Sequence, residues 1–140
     1  MMPTLINGNV HCDARGSLLY NNAFDCSAVK RMYVIENSSL EIVRAWQGHK
    51  IEQRWFSVVQ GSFLIKLIKL DNWQFPSVSL ECKEILIESK TLDVLHVPKG
   101  YVSSIQAIEE GSKLLVMADY LMGELADDYR FDLNYFEIND

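Results

Sequence analysis

No stretch of this chain approaches the roughly 20 consecutive apolar residues that a membrane helix needs. Its longest apolar runs are broken by Lys66, Lys69 and Glu84. No Lys or Arg precedes Arg15, so the charged start of a secretory signal is missing as well. A protein of the cytoplasm with no membrane contact is expected. Cysteine is scarce: Cys12, Cys26 and Cys82 are odd in number and form no CxxC pair, which leaves little support for thiolate-bound zinc. They read as reduced thiols packed as small apolar groups, in keeping with a reducing compartment. Basic charge is also short. With a net charge of -6 and no basic stripe, a nucleic-acid partner is not expected. The only histidines are His11, His49 and His96, with no HxH spacing, so neither a metal centre nor another cofactor is expected. Gly-rich phosphate loops and a GxSxG elbow are missing too.

What the chain does have is apolar content of 49% against 23% charged residues, ordinary usage for a globular fold. Its 140 residues suit one domain over residues 1–140 with a core of its own. No repeat, low-complexity tract or linker divides it. Short segments with period-two or continuous apolar patterning predict strands at Val29–Glu36, Leu40–Trp46, Arg54–Val59, Phe63–Asp71, Ser79–Ile87, Val94–Val97, Val102–Ile108 and Lys113–Ala118. Turn chemistry separates them, as in Gln60-Gly61, Pro98-Lys99-Gly100 and Glu109-Glu110-Gly111. About eight short strands at near-regular spacing predict an all-β double-sheet jelly roll. The tail from Leu125 to Phe136 alternates carboxylates with aromatics and reads as a short helix or a docked arm, with helix preferred.

Candidate chemistry gathers around one turn. His49 follows Arg44-Ala45-Trp46-Gln47-Gly48, with Lys50 and Arg54 beyond it. Converging there, Arg44, Lys50 and Arg54 would form an anion site, since the planar guanidinium fork suits phosphate. Arg15, in Asp13-Ala14-Arg15-Gly16, is a further cation at a turn. Surface ion pairing is the alternative for all of these charges. His96 lies inside an apolar run and reads as a packed or hydrogen-bonded residue. Asp127-Asp128 reads as a solvated acidic turn.

The order of several motifs resembles a known family. Phe24-Asp25, the strand Lys30-Arg31-Met32-Tyr33, Arg44 through Lys50, then Gly61 are similar to the sugar 3,4-ketoisomerases, as are Leu114-Leu-Val-Met-Ala-Asp-Tyr120 and Asp127-Asp-Tyr-Arg-Phe-Asp132 with Phe136. Asp13-x-Arg15-Gly16, Pro76-Ser77 and Pro98-Lys-Gly-Tyr101 resemble the related dTDP-4-dehydrorhamnose 3,5-epimerases. The resemblance implies a cupin-type double-stranded β-helix, a homodimer, and isomerase chemistry without metal on a dTDP-linked 4-keto-6-deoxyhexose for surface-polysaccharide assembly. It implies His49 as general acid/base, with Tyr33 or Tyr120 as the acid or donor. Arg15 and Arg44 would line the diphosphate site, and Arg54 stands where the epimerases carry a Lys. Gln47, Lys50 and Ser103 complete the expected substrate-binding set. Gln47 stands where the family has its first motif histidine, and Val102-Ser103-Ser104 where some members carry another. Glutamine cannot act as a base near neutral pH. A cupin that binds the sugar nucleotide without turning it over, or serves as an accessory, is therefore the alternative.

Overall fold

The computed structural model describes residues 1–138. Two five-stranded antiparallel sheets face each other. The first carries β1 (Thr4–Ile6), β9 (Val94–Val97), β6 (Arg54–Gln60), β11 (Lys113–Ala118) and β4 (Arg31–Ile35), in that spatial order. The second carries β12 (Tyr129–Arg130), β5 (Val43–His49), β10 (Tyr101–Ala107), β7 (Ser62–Lys69) and β8 (Cys82–Glu88). A separate hairpin pairs β2 (Asn9–Asp13) with β3 (Gly16–Tyr20).

Between the sheets, Phe56, Val58, Phe63, Ile65, Leu67, Leu95, Ile105, Leu114 and Val116 form the main core. Alternation along β7 sends Phe63, Ile65 and Leu67 inward, while Ile68 turns outward into a second apolar cluster with Trp46, Val102 and Phe136. Trp55, Val94 and Met117 form a third cluster behind the first sheet, against Phe24 and Val29. Because both sheets are covered behind as well as in front, β6 and β7 read as nearly continuous apolar runs rather than a clean alternation. Lys66 interrupts β7 on the outward side and pairs with Glu84 at 3.5 Å.

Lys113–Ala118 and Val94–Val97 are strands over the predicted residues, and the others differ by a few residues at their ends. The largest shift is in β5, which runs to His49 instead of stopping at Trp46. Residues 40–42 are spent on the preceding turn, and the ladder with β10 pairs His49 with Tyr101. β1, β2 and β3 were not among the expected strands; β2 is exposed along its whole length and lacks a buried face to reveal it. The preferred C-terminal helix is corrected. Among the described residues the tail is an extended arm: β12 pairs with β5, and Phe131, Tyr135 and Phe136 pack on the second cluster. Trp46 and Phe131 exchange backbone hydrogen bonds of 2.9 and 3.0 Å, which fix the arm where a helix would lose the ladder. Cys12 and Cys26 are exposed rather than packed as expected, and Cys82 is partly buried against the second cluster.

Candidate functional site

The sandwich opens where edge strand β4 faces β5, and the space between them is a cavity of about 1020 Å³. That is at the upper end of the range for small-molecule sites, about 300–1,000 Å³. Arg31, Tyr33 and Ile35 line it from β4; Arg44, Gln47 and His49 from β5; Arg54 from β6; Tyr101 and Ser103 from β10. The loop after β11 contributes Leu121, Met122 and Leu125, then Asp127 and Asp128.

His49 is held by two partners on one ring nitrogen. Its Nδ1 is 2.9 Å from the backbone oxygen of Asp127 and 3.3 Å from Oε2 of Glu52. A carbonyl oxygen only accepts, so Nδ1 carries the hydrogen and Nε2 keeps its lone pair. Burial, and then the charge of Arg54, hold the His49 pKa below the ordinary histidine value, although the Asp127 carbonyl and Glu52 pull the other way. At neutral pH the ring is therefore a neutral base with Nε2 unoccupied.

Its supports are themselves built from the turn. Asp127 is 2% exposed, and its carboxylate accepts the backbone N–H groups of Lys50, Ile51 and Glu52 at 3.0, 2.9 and 2.8 Å. The reading of Asp127-Asp128 as a solvated turn is thus corrected. Three consecutive amides point at one carboxylate, which replaces water for all of them. Arg54 donates through Nη2 to Glu52 Oε2 at 3.2 Å, in a pair where both residues are buried.

One donor atom each from His49, Glu52 and Asp127 lies within 4.8 Å of the others, a spacing seen in metal sites. The donor set does not suit a cation. Glu52 already faces the Arg54 guanidinium, and the Asp127 oxygens are occupied by amides. A metal ion would stand beside a fixed positive charge and strip three buried N–H groups of their acceptor.

The cations divide into spent and available. Arg54 is neutralised by Glu52, and Arg130 by Asp128 at 3.2 Å. Arg44 donates through Nε to the neutral Asn37 at 2.7 Å and, among the described residues, pairs with no carboxylate. Arg31 lies with its guanidinium 5.3 Å from the centre of the Tyr33 ring, and its buried Nε has no hydrogen-bond partner among the described residues. Arg31 and Arg44 thus flank the cavity as two uncompensated guanidiniums. Gln47 donates its amide to Asp128 at 2.9 Å. Burial would raise the Asp128 pKa, but the hydrogen bonds from Gln47 and Arg130 outweigh it and hold the carboxyl below its ordinary value.

Of the residues expected in the site, His49, Tyr33, Arg44, Gln47, Arg54 and Ser103 share the cavity. Arg15, Lys50 and Tyr120 are not in its lining. Arg15 is at the tip of the β2–β3 hairpin, paired with Asp13 at 2.7 Å. Lys50 is an exposed turn residue, and Tyr120 lies under Lys30. Sequence reasoning missed Arg31, Glu52, Asp127, Asp128 and Tyr101 as site residues. Arg31 and Tyr101 stood inside quoted motifs, but Glu52 and Asp127 gave no local signal, because their partners meet only across the fold. His96 is hydrogen-bonded as expected, to Gln53 Oε1 at 2.6 Å, and stacks on Trp55.

No protein-family model matches the sequence, and no curated protein does. Solved structures do. A 3,4-ketoisomerase from Helicobacter canadensis aligns with a TM-score of 0.72 at 23% identity, over 94% of this chain and 92% of that one. A mutant 3,4-ketoisomerase from Thermoanaerobacterium thermosaccharolyticum, in complex with TDP-4-keto-6-deoxyglucose, aligns at 0.71 and 23%, over 92% and 87%. A dTDP-4-dehydrorhamnose 3,5-epimerase from Bacillus anthracis, with TDP and PPi bound, aligns at 0.73 and 15%, over 94% and 79%. The chain has the cupin-type jelly-roll fold that these sugar-nucleotide ketoisomerases and epimerases share.

Proposed function

We propose that the protein is an isomerase or epimerase acting on a dTDP-linked 4-keto-6-deoxyhexose. The observation that carries this reading is a neutral His49 in the same cavity as two guanidiniums, where among the described residues Nε2 has no partner and neither guanidinium pairs with a carboxylate. Isomerising a ketose needs a base for the acidic C–H beside the carbonyl and a donor for the oxygen that becomes an enolate. His49 Nε2 takes the proton, and Glu52 with the Asp127 carbonyl keeps the ring in place as it gains charge. Arg31 and Arg44 hold the diphosphate, each by charge-assisted hydrogen bonds. Tyr33, on the β4 wall, faces the sugar. The likeness to structures solved with TDP and TDP-sugars supports the substrate class.

A homodimer is part of the same proposal. Met32 and Val34 are 71% and 56% exposed on edge strand β4, and Leu18 is 62% exposed on the detached hairpin. Packing on a second copy would cover this apolar surface, and sedimentation of the pure protein tests it. Two expectations belong with the proposal: a place in surface-polysaccharide assembly and a cytoplasmic setting.

The decisive experiment is incubation with the keto sugar nucleotide in heavy water. Deuterium entering carbon beside the ketone, and lost in His49→Asn, is the expected result. Saturable dTDP binding with no exchange above the His49→Asn background would reject catalysis and leave a binding protein.

A further inference from the structure

The proposed chemistry needs a donor at the enolate oxygen, and the resemblance offers Tyr33 or Tyr120. Neither is well placed. Tyr120 is outside the cavity lining, and Tyr33 is 37% exposed on an edge strand, where water competes for its hydroxyl. Tyr101 is placed differently. It opens β10 directly opposite His49 in the antiparallel ladder with β5. Direct cross-strand partners have Cβ atoms about 4.5–5.5 Å apart, on one face of the sheet. Here that face is the inner one, since both residues line the cavity.

Further observations single this phenol out. Its position is fixed, because Gly100 donates its N–H to the His49 oxygen at 2.9 Å and accepts from the Leu70 N–H at 3.1 Å. Gly100 holds φ at 95°, a conformation that favours glycine. The Tyr101 ring is packed among Phe56, Val97 and Ile105 and only 7% exposed. Its hydroxyl makes no hydrogen bond with any described residue and is not among the fully buried polar atoms, so it is open to a ligand in the cavity. Burial, with Glu81 nearby, raises its pKa above the ordinary tyrosine value, so the hydroxyl keeps its hydrogen across the neutral range.

We propose that Tyr101 is a catalytic residue whose hydroxyl donates a hydrogen bond to the sugar's C4 oxygen as the enolate forms. The inference rests on the isomerase reading and adds to it the donor at that oxygen. When His49 Nε2 takes the proton, the C–H pair becomes the new C=C bond and the carbonyl π pair moves onto oxygen. The Tyr101 O–H meets that charge from a fixed position in the cavity wall, where a preorganised donor needs no reorganisation as the charge forms. On collapse the pair returns to the carbonyl, carbon is reprotonated, and Tyr101 keeps its hydrogen.

The test is Tyr101→Phe in the full chain, which removes the oxygen and leaves the ring in the core. Wild type, Tyr101→Phe, Tyr33→Phe and Tyr101→His are compared for deuterium exchange into dTDP-4-keto-6-deoxyglucose, with dTDP affinity by calorimetry and urea midpoints alongside. Exchange in Tyr101→Phe is expected to fall by about 100-fold, mostly in kcat, with dTDP affinity and the urea midpoint little changed. Tyr33→Phe is expected to lose far less. Tyr101→His, which restores a donor, is expected to recover part of the rate even if Tyr101→Phe folds poorly. Exchange in Tyr101→Phe within about twofold of wild type, with wild type active, would overturn this assignment alone. No exchange in wild type would take the isomerase reading down with it.

Discussion

Asp127 accepts the backbone N–H of Glu52 at 2.8 Å, and the Glu52 side chain in turn reaches Nδ1 of His49 at 3.3 Å. A residue from the closing segment of the chain thereby shapes the turn after β5 that aims the imidazole. The site's geometry depends on this join.

Asp127→Ala is expected to destabilise the fold by about 2–4 kcal/mol, because three amide N–H groups lose a buried acceptor at once. Urea unfolding measures it. Exchange should fall as well, since the Asp127 segment carries the carbonyl that holds His49. A variant as stable as wild type would show that water replaces the carboxylate without penalty.

Acid should weaken the fold through its histidines. Burial lowers the pKa of both His49 and His96 below the ordinary histidine value of about 6.5. Between the folded and unfolded values the unfolded chain binds more protons, so stability rises with pH across that window. The contribution is complete above pH 6.5 and is lost as pH falls through the folded values. Each histidine adds a slope of at most about 1.4 kcal/mol per pH unit. Urea midpoints from pH 8 to 5 should fall, and His49→Asn should flatten the curve. The same deprotonation predicts that kcat/KM rises from acid and levels off below the ordinary histidine value.

Arg44→Ala and Arg31→Ala should each weaken dTDP binding by about 10- to 100-fold, the worth of a charge-assisted contact. The loss should shrink as salt is raised. Lys50→Ala, on the exposed turn, should change little. Equal effects from all three, read by calorimetry, would mean that a diffuse positive field matters more than two placed guanidiniums.

Gln47→His should increase the exchange rate. Asp128 lies 2.9 Å from the Gln47 amide, so an imidazole there gains a carboxylate to orient it and stabilise its charged form. A well-placed second base is worth about 100-fold or more. An unchanged or lower rate would show that the glutamine serves the reaction as it stands.

Gly48→Ala should cost about 1–3 kcal/mol from overpacking. An added Cβ would collide with Val102 Cγ1 and meet the Tyr101 backbone oxygen at 2.9 Å. The loss should appear as a lower urea midpoint.

The sequence by itself determined the all-β class, the central strands from β6 to β11, and the grouping of His49 with Arg44 and Gln47 in one short segment, though not that all three lie on one strand. Those features are local: alternation, turn residues and near neighbours in the chain carry them. It did not determine the extended C-terminal arm, whose aromatics find their pocket on the outer face of a distant sheet. Nor did it show which charges are spent. Arg54 looked as free as Arg44 until folding set it against Glu52, and Asp127 looked solvated until three amides converged on it. Tyr101 stood one residue outside the predicted strand Val102–Ile108 until strand register set it across from His49. Partners far apart in sequence leave no periodic trace, so which groups are neutralised and which face the cavity was decided by tertiary structure alone.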